Sequence, residues 1–268
     1  MLFTFCAGVA ATGAYQANLS PPVMNFALEL AATELKHVQF LRAALGPCAV
    51  PAPQIDLSTN VFGTIANLAV GTGGNFLNFD PANDDVSFLL SVFIYEDVGV
   101  TACACSLSAF APSFSDALLS DPDNYAAGLL SSYGLINAAT SIMAAEAYHS
   151  GAVRSLLIKL QAQYAGQGLT TTVGQIANAI SALRGALGTG GDVGISPAFN
   201  LTLAGVAEMG TPNGTATVVA PLMVANGLAF SRTPGQVKNI VTGGGGAALN
   251  ATGLFFPIGL NYLAGSPF

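Results

Sequence analysis

Through most of residues 20–187, apolar positions recur at three- and four-residue intervals, the spacing that lays one face of a helix against a core. Residues 1–17 read as a short apolar helix, loosened by Gly8 and Gly13. Ser20-Pro21-Pro22 reads as a helix start, with Ser20 as the cap and proline in the first turn, where its missing N–H is not needed. Val23 to about Leu45 is strongly helical, and Gly46-Pro47 ends it. Residues 46–83 form a long connection rich in Gly, Pro and Asn, with a short helix at Val61–Leu68. The next helix is predicted from about Asp84 to Phe110, opening on Asp84-Asp85 at its positive end and closed by Pro112. Asp121-Pro122-Asp123 caps another, from Tyr125 past Leu160, and a last one runs from a Thr-rich cap at Thr172 to Leu187, before Gly188.

Beyond 188 the pattern dissolves into Gly, Pro, Thr and Asn, with one regular segment at Thr233–Val241 and a Gly243–Gly246 run. Phe255, Phe256, Ile258, Leu260 and Tyr262 need a surface to cover them, so this tail is expected to be mostly irregular chain laid over the helices. The expectation is an all-α fold: a helical bundle over residues 1–187 and a Gly/Pro-rich extension over 188–268 packed on it.

Charge changes the picture. Only 8% of the 268 residues are charged, against roughly 25% in an ordinary soluble domain, while 52% are hydrophobic. Such a chain folds rather than staying disordered. The net charge of −7 and the scatter of basic residues from Lys36 to Lys238 exclude nucleic acid, whose phosphates need clustered cations. Asn124–Ala145 carries no charge and is long enough to span a bilayer. It is interrupted by Ser, Thr, Asn and Gly and lacks flanking Lys or Arg, so it reads as a bundle helix and no transmembrane segment is expected. Four cysteines (Cys6, Cys48, Cys103, Cys105) and sequons at Asn18, Asn200, Asn213 and Asn250 fit an exported glycoprotein with one or two disulfides, in any of three connectivities. Cys103 and Cys105, two apart on a helix, face differently and should not pair. Met1–Phe5 is apolar but has no basic leader of the kind a signal peptide carries.

Candidate chemistry rests on rare residues. The chain has two histidines, and each follows a glutamate by three positions: Glu34-Leu-Lys-His37 and Glu146-Ala-Tyr-His149. On a helix this spacing points a carboxylate and an imidazole at one spot. One such pair alone is commonly a solvated i,i+3 contact, the more so for Glu34–His37, beside Lys36. Two pairs, with Glu96 alone in the apolar run Phe93-Ile-Tyr-Glu-Asp-Val, predict a shared polar site. In ferritin-like bundles two helices each give Glu-x-x-His and two others a Glu, and six ligands hold two metal ions. Glu34, His37, Glu96, Glu146 and His149 are therefore the candidate ligands, suited to iron or manganese. Residues 1–17 contain no Asp, Glu or His, and Glu29 points to another face. Either the natural chain extends before Met1 or this protein lacks the sixth ligand, leaving an incomplete site, or a relic without metal.

Three stretches carry a specific resemblance: Phe26-Ala-Leu-Glu-Leu-Ala-Ala-Thr-Glu-Leu-Lys-His37, Tyr95-Glu-Asp-Val-Gly-Val-Thr101 and Glu146-Ala-Tyr-His-Ser-Gly-Ala-Val-Arg154. With Phe230-Ser-Arg-Thr-Pro-Gly-Gln-Val237 and Phe255-Phe-Pro-Ile-Gly259, they resemble, in order, the ferritin-like domain of the desiccation-related proteins. The resemblance implies a ferritin-like four-helix bundle with an extra helix, association with drying stress, and a secreted, extracellular or cell-wall location. Three functions follow as expectations. The first is a stress-related protein with a vestigial or metal-holding site and no enzymatic turnover. The second is a module that binds an apolar small molecule such as a pigment or lipid, or builds a homo-oligomer or extracellular assembly. The third is a two-metal oxidase or peroxidase, in which Tyr95 and Tyr148 would assist the ligands.

Overall fold

A computed structural model describes residues 10–49, 51–71, 79–120, 125–166, 170–195, 198–200, 215–217, 229–246 and 251–260. The elements are α1 (Pro21–Leu45), a 3-10 turn (Gly46–Cys48), α2 (Thr59–Val70), α3 (Asp85–Ser120), α4 (Tyr125–Leu160), α5 (Val173–Leu187), β1 (Ala198–Asn200), β2 (Thr215–Thr217) and α6 (Pro234–Val241). The fold is all-α, as expected. The long α3 and α4 run antiparallel as the central pair. α2 and α5 pack together and close the core, α1 lies along α4, and α6 touches α3 and α5. Leu89, Leu90, Phe93, Val153, Leu157, Ile176 and Ile195 are fully buried between them.

Local signals explain most helix starts. Thr172 and Thr233 each accept from the backbone N–H of the glutamine three residues on, and that glutamine's side chain accepts from the cap's own N–H. These reciprocal boxes satisfy two orphan donors at the head of α5 and α6. At the head of α3, Asp84 caps in one direction only, accepting from the Ser87 N–H at 2.9 Å. Ser20 stands at the cap position of α1 but does not cap it: its hydroxyl donates to Asp85, 2.5 Å away, and its N–H donates to the same carboxylate. That exchange ties the start of α1 to the start of α3.

Three expectations are corrected. Residues 10–17 are extended, not helical. Thr12 bridges to Asp56, and Gly13 turns the chain at a positive φ of 78° where a β-carbon would collide with the Ser58 backbone. Residues 1–9 lie outside the described residues. α3 does not stop at Phe110 but continues through Pro112 to Ser120, because proline deletes one backbone hydrogen bond and the turns on either side carry the helix on. Besides the expected regular segment, now α6, the mostly irregular tail also holds a short strand pair that the pattern did not announce, β1 and β2, antiparallel with Ala198 opposite Thr217. Ile258 is exposed rather than covered, whereas Phe255 is buried against Phe62 and Tyr95 and Phe256 packs at the edge of the core. Tyr262 and the Asp121–Asp123 cap lie outside the described residues.

Among the described residues, one stretch is long and apolar enough to cross a membrane: residues 85–104 of α3, which is mostly buried as the central core helix. In the uncharged stretch of α4, Asn137, Thr140 and Ser141 face outward, as on an ordinary bundle helix. Arg154, Arg184 and Arg232, three of the seven basic residues, are buried, so they form no surface for phosphates.

Candidate metal centre

The two Glu-x-x-His turns meet. α1 and α4 run antiparallel, which sets Glu34 opposite His149 and His37 opposite Glu146. His37 Nδ1 lies 3.4 Å from Glu34 Oε1 and 3.2 Å from Glu146 Oε1. His149 Nδ1 lies 3.3 Å from Glu34 Oε1 and 3.5 Å from Glu96 Oε2, which α3 supplies from the third side. The two imidazole rings are 6.5 Å apart, on either side of the Glu34 carboxylate. All five residues singled out from the sequence therefore converge on one place. Ala145 and Ala147 beside them are half-buried, Ala144 is exposed and Val153 is fully buried.

The interior end is the drier. His149 is 1% exposed, and Glu96 and Glu146 are buried, while the His37 and Glu34 side chains are 14% and 40% exposed. Glu34 is the donor nearest solvent. Four atoms in this cluster, Glu34 Oε1, His37 Nδ1, Glu96 Oε2 and His149 Nδ1, are buried without a hydrogen-bond partner. Orphaned polar atoms in a dry site are costly unless a cation or proton joins them. The charges register the crowding. Burial, with the Glu34 and Glu96 carboxylates beside it, pushes Glu146 up to about 8, and burial raises Glu96 too. Burial alone would lower His149, but the Glu34 and Glu96 carboxylates beside its Nδ1 outweigh it and raise the imidazole to about 9.

Three further features escaped the sequence reading. Gly99, one turn on from Glu96, faces Glu146: a β-carbon there would collide with Glu146 Oε2. Cys103, one turn further, is a free, half-buried thiol, raised to about 11 by burial and then by the Glu146 and Glu34 charges. The stripe Glu96–Gly99–Cys103 has the 3,4 spacing of one helix face, and that spacing was the available signal. Replacing Gly99 with alanine is expected to leave the helix intact, since alanine favours it. The flexible Glu146 carboxylate would swing away, and affinity for Mn(II) should fall about 10-fold or more by calorimetric titration. Unchanged affinity would show that Glu146 has no part in binding.

The third feature is a buried ion network immediately behind the cluster. Asp97 follows Glu96 and Ser150 follows His149, and the Ser150 hydroxyl donates to Asp97 Oδ1 at 2.5 Å. Arg154 and Arg184 donate to Asp97 Oδ2 at 2.9 and 2.6 Å, and Arg184 also reaches Asp192 and the Phe93 carbonyl. Arg232, from the tail, donates to Asp192 and to the Thr101 hydroxyl. Burial works against the Asp192 charge, but the Arg184 guanidinium prevails and holds its carboxyl below the usual range. Of the two tyrosines expected to assist the ligands, Tyr95 packs against Phe255 with centroids 4.9 Å apart, and Tyr148 lies beside His149, rings 5.7 Å apart, while its hydroxyl donates to Glu29, 3.3 Å away.

Among the described residues no sixth carboxylate or imidazole joins the five. A ferritin-like bundle carrying an incomplete, partly buried acid–histidine cluster, consistent with a metal-binding site, is the class of protein this fold and site define. Comparison with known proteins agrees. The family described as "Ferritin-like domain" matches residues 4–113. Desiccation-related protein PCC13-62 of Craterostigma plantagineum is 28% identical over 229 residues, 85% of this chain and 63% of that protein. The chain therefore contains a ferritin-like domain and is homologous to the desiccation-related proteins at modest identity, while spanning less than two thirds of the curated relative it matches. No solved structure matches it.

Proposed function

We propose that this chain is an exported, desiccation-related ferritin-like protein that retains a divalent transition-metal ion between α1, α3 and α4. The observation that carries the reading is the set of buried atoms without hydrogen-bond partners, two imidazole nitrogens and two carboxylate oxygens, that converge on one place. Glu34, His37, Glu96, Glu146 and His149 would hold the ion, a carboxylate–imidazole set that suits iron or manganese. A bound ion of this kind supplies a Lewis-acid or one-electron centre. The drying and export setting draws on the homology to a protein named for desiccation and on the four sequons.

The test is metal content and its effect on stability. The purified chain is expected to carry stoichiometric metal. Added Mn(II) or Fe(II) at 100-fold above Kd should stabilise the metal-free form by about 2.7 kcal/mol, or about 5 °C in Tm or more. Trace metal and an unmoved Tm would sink the reading. A second reading, self-assembly, is favoured by the exposed apolar residues Val38, Leu41 and Leu45, which share one face of α1. A monodisperse monomer by light scattering would dismiss it.

A further inference from the structure

We propose that a cleft between residues 13–17 and the start of the α2–α3 core binds a small neutral phenol, its ring among Ala17, Leu57, Phe62 and Phe88 and its hydroxyl donating to Asp80. None of these residues belongs to the acid–histidine cluster, so the inference stands apart from the metal reading.

The extended N-terminal segment builds the cleft. Thr12 is tied by backbone hydrogen bonds to Ile55 and Leu57, and the Asn18 N–H donates to the Ala82 carbonyl, each at 2.8 Å. Between these anchors, Gly13, Ala14, Tyr15 and Ala17 form one wall. Gly13 comes so close to the Ser58 backbone that no β-carbon fits there. Opposite stand Leu57, Phe62, Pro81 and Phe88. Ser91 joins them, but its hydroxyl already donates to the Phe88 carbonyl at 2.7 Å, so that wall is apolar in effect.

Size narrows the ligand. The cleft has a volume of about 170 Å³. An apolar cavity of about 150 Å³ takes one benzene ring, whereas drug-sized ligands occupy about 300 Å³ or more. One six-membered ring fits here, and a pigment or a lipid chain does not.

The rim adds a chemical preference. Asp80 Oδ1 accepts from the Ala82 N–H at 2.9 Å, which fixes the carboxylate, and Oδ2 accepts from the Tyr15 hydroxyl. This carboxylate therefore already receives a phenol, supplied by the chain's own tyrosine. Tyr15 is 60% exposed, so it can turn outward and release that oxygen with little loss of buried surface. An incoming phenol makes the same charge-assisted bond and buries its ring as well, which Tyr15 leaves mostly in water. An anionic ring such as benzoate is repelled by the Asp80 carboxylate.

The experiment adds phenol, benzene or benzoate to the 268-residue chain and follows binding by calorimetry and ligand-observed NMR. Phenol is expected to bind with a Kd of about 1 mM or below, benzene about 10-fold more weakly, and benzoate not at all up to about 10 mM. Asp80→Asn keeps an oxygen for the Ala82 N–H and should weaken phenol about 10-fold while leaving benzene unchanged. Tyr15→Phe removes the competing hydroxyl and should tighten phenol about 3-fold. Ala17→Leu should fill the cleft and abolish binding of phenol and benzene together, with circular dichroism and Tm confirming that each variant folds. No phenol binding up to about 10 mM, or a phenol affinity that Ala17→Leu leaves unaltered, would overturn the site. Equal affinities for phenol and benzene, or an Asp80→Asn variant that binds phenol as the parent does, would overturn its preference for a phenol.

Discussion

Replacing Asp97 with alanine is expected to cost about 3–5 kcal/mol of folding stability, the penalty for stripping a buried cation of its partner. Asp97 is wholly buried and accepts from Ser150, Arg154 and Arg184, which lie on two other helices. Without it, Arg184 keeps Asp192, while Arg154 loses the Asp97 carboxylate that pairs with it at 2.9 Å. Arg154 is already lowered from its ordinary pKa by burial, so its charge is the one least supported when the carboxylate goes. Against a total stability of 5–15 kcal/mol typical of domains, the loss is large and should lower Tm by about 8 °C or more. Chemical unfolding of the variant measures it. Lys36, exposed on α1, is the control, with Lys36→Ala expected within about 0.5 kcal/mol of the parent. A loss for Asp97→Ala below about 1 kcal/mol would show that the network does not hold α3, α4 and α5 together.

That network is also where reading the chain as a string reached its limit. The five cluster residues were legible because the signal is local: i,i+3 spacing fixes a shared helix face, and both histidines of a histidine-poor chain show it. Asp97 and Arg184 are separated by 87 residues, and no periodicity announces that they meet. Neither Ser150 nor Asp97 stands at a spacing that marks it as a partner of the other. Pro112 was misread for the opposite reason: a strong local rule was applied where the surrounding turns overrode it. The extended path of residues 10–17 depends on pairing with Ile55 and Leu57, again a long-range choice that outweighs local apolar periodicity.

Set side by side, the two buried assemblies explain how a chain with 8% charged residues uses them. Three glutamates gather on one side of the α3–α4 contact and three arginines on the other, and consecutive residues, Glu96-Asp97 and His149-Ser150, belong one to each. The Asp97–Ser150 bond fixes the rotation of α3 against α4. It thereby fixes where Glu96 and His149 point, so stability of the bundle and geometry of the cluster are one property.

Metal affinity should climb steeply with pH and release protons as it does so. In the metal-free chain Glu146 titrates at about 8 and His149 at about 9, so at pH 7 both carry a proton that a metal ion must displace. About two protons should be released per ion at pH 7, and apparent affinity should rise towards 100-fold per pH unit below about 8 and level off above about 9. Calorimetry in buffers of different ionisation enthalpy counts those protons, and Glu146→Gln should release about one fewer. The stability of the metal-free chain runs the other way. Both groups are raised above their ordinary 4.5 and 6.5, so the stabilising protonated forms are fully present below those values and are lost as pH rises through 8 and 9. Tm without metal should therefore fall between pH 6 and 9, while the metal-loaded chain, its ligands already deprotonated, should stay level or rise. Release of less than about half a proton per ion at pH 7, or a metal-free Tm that increases over that range, would mean that these two groups do not gate the site.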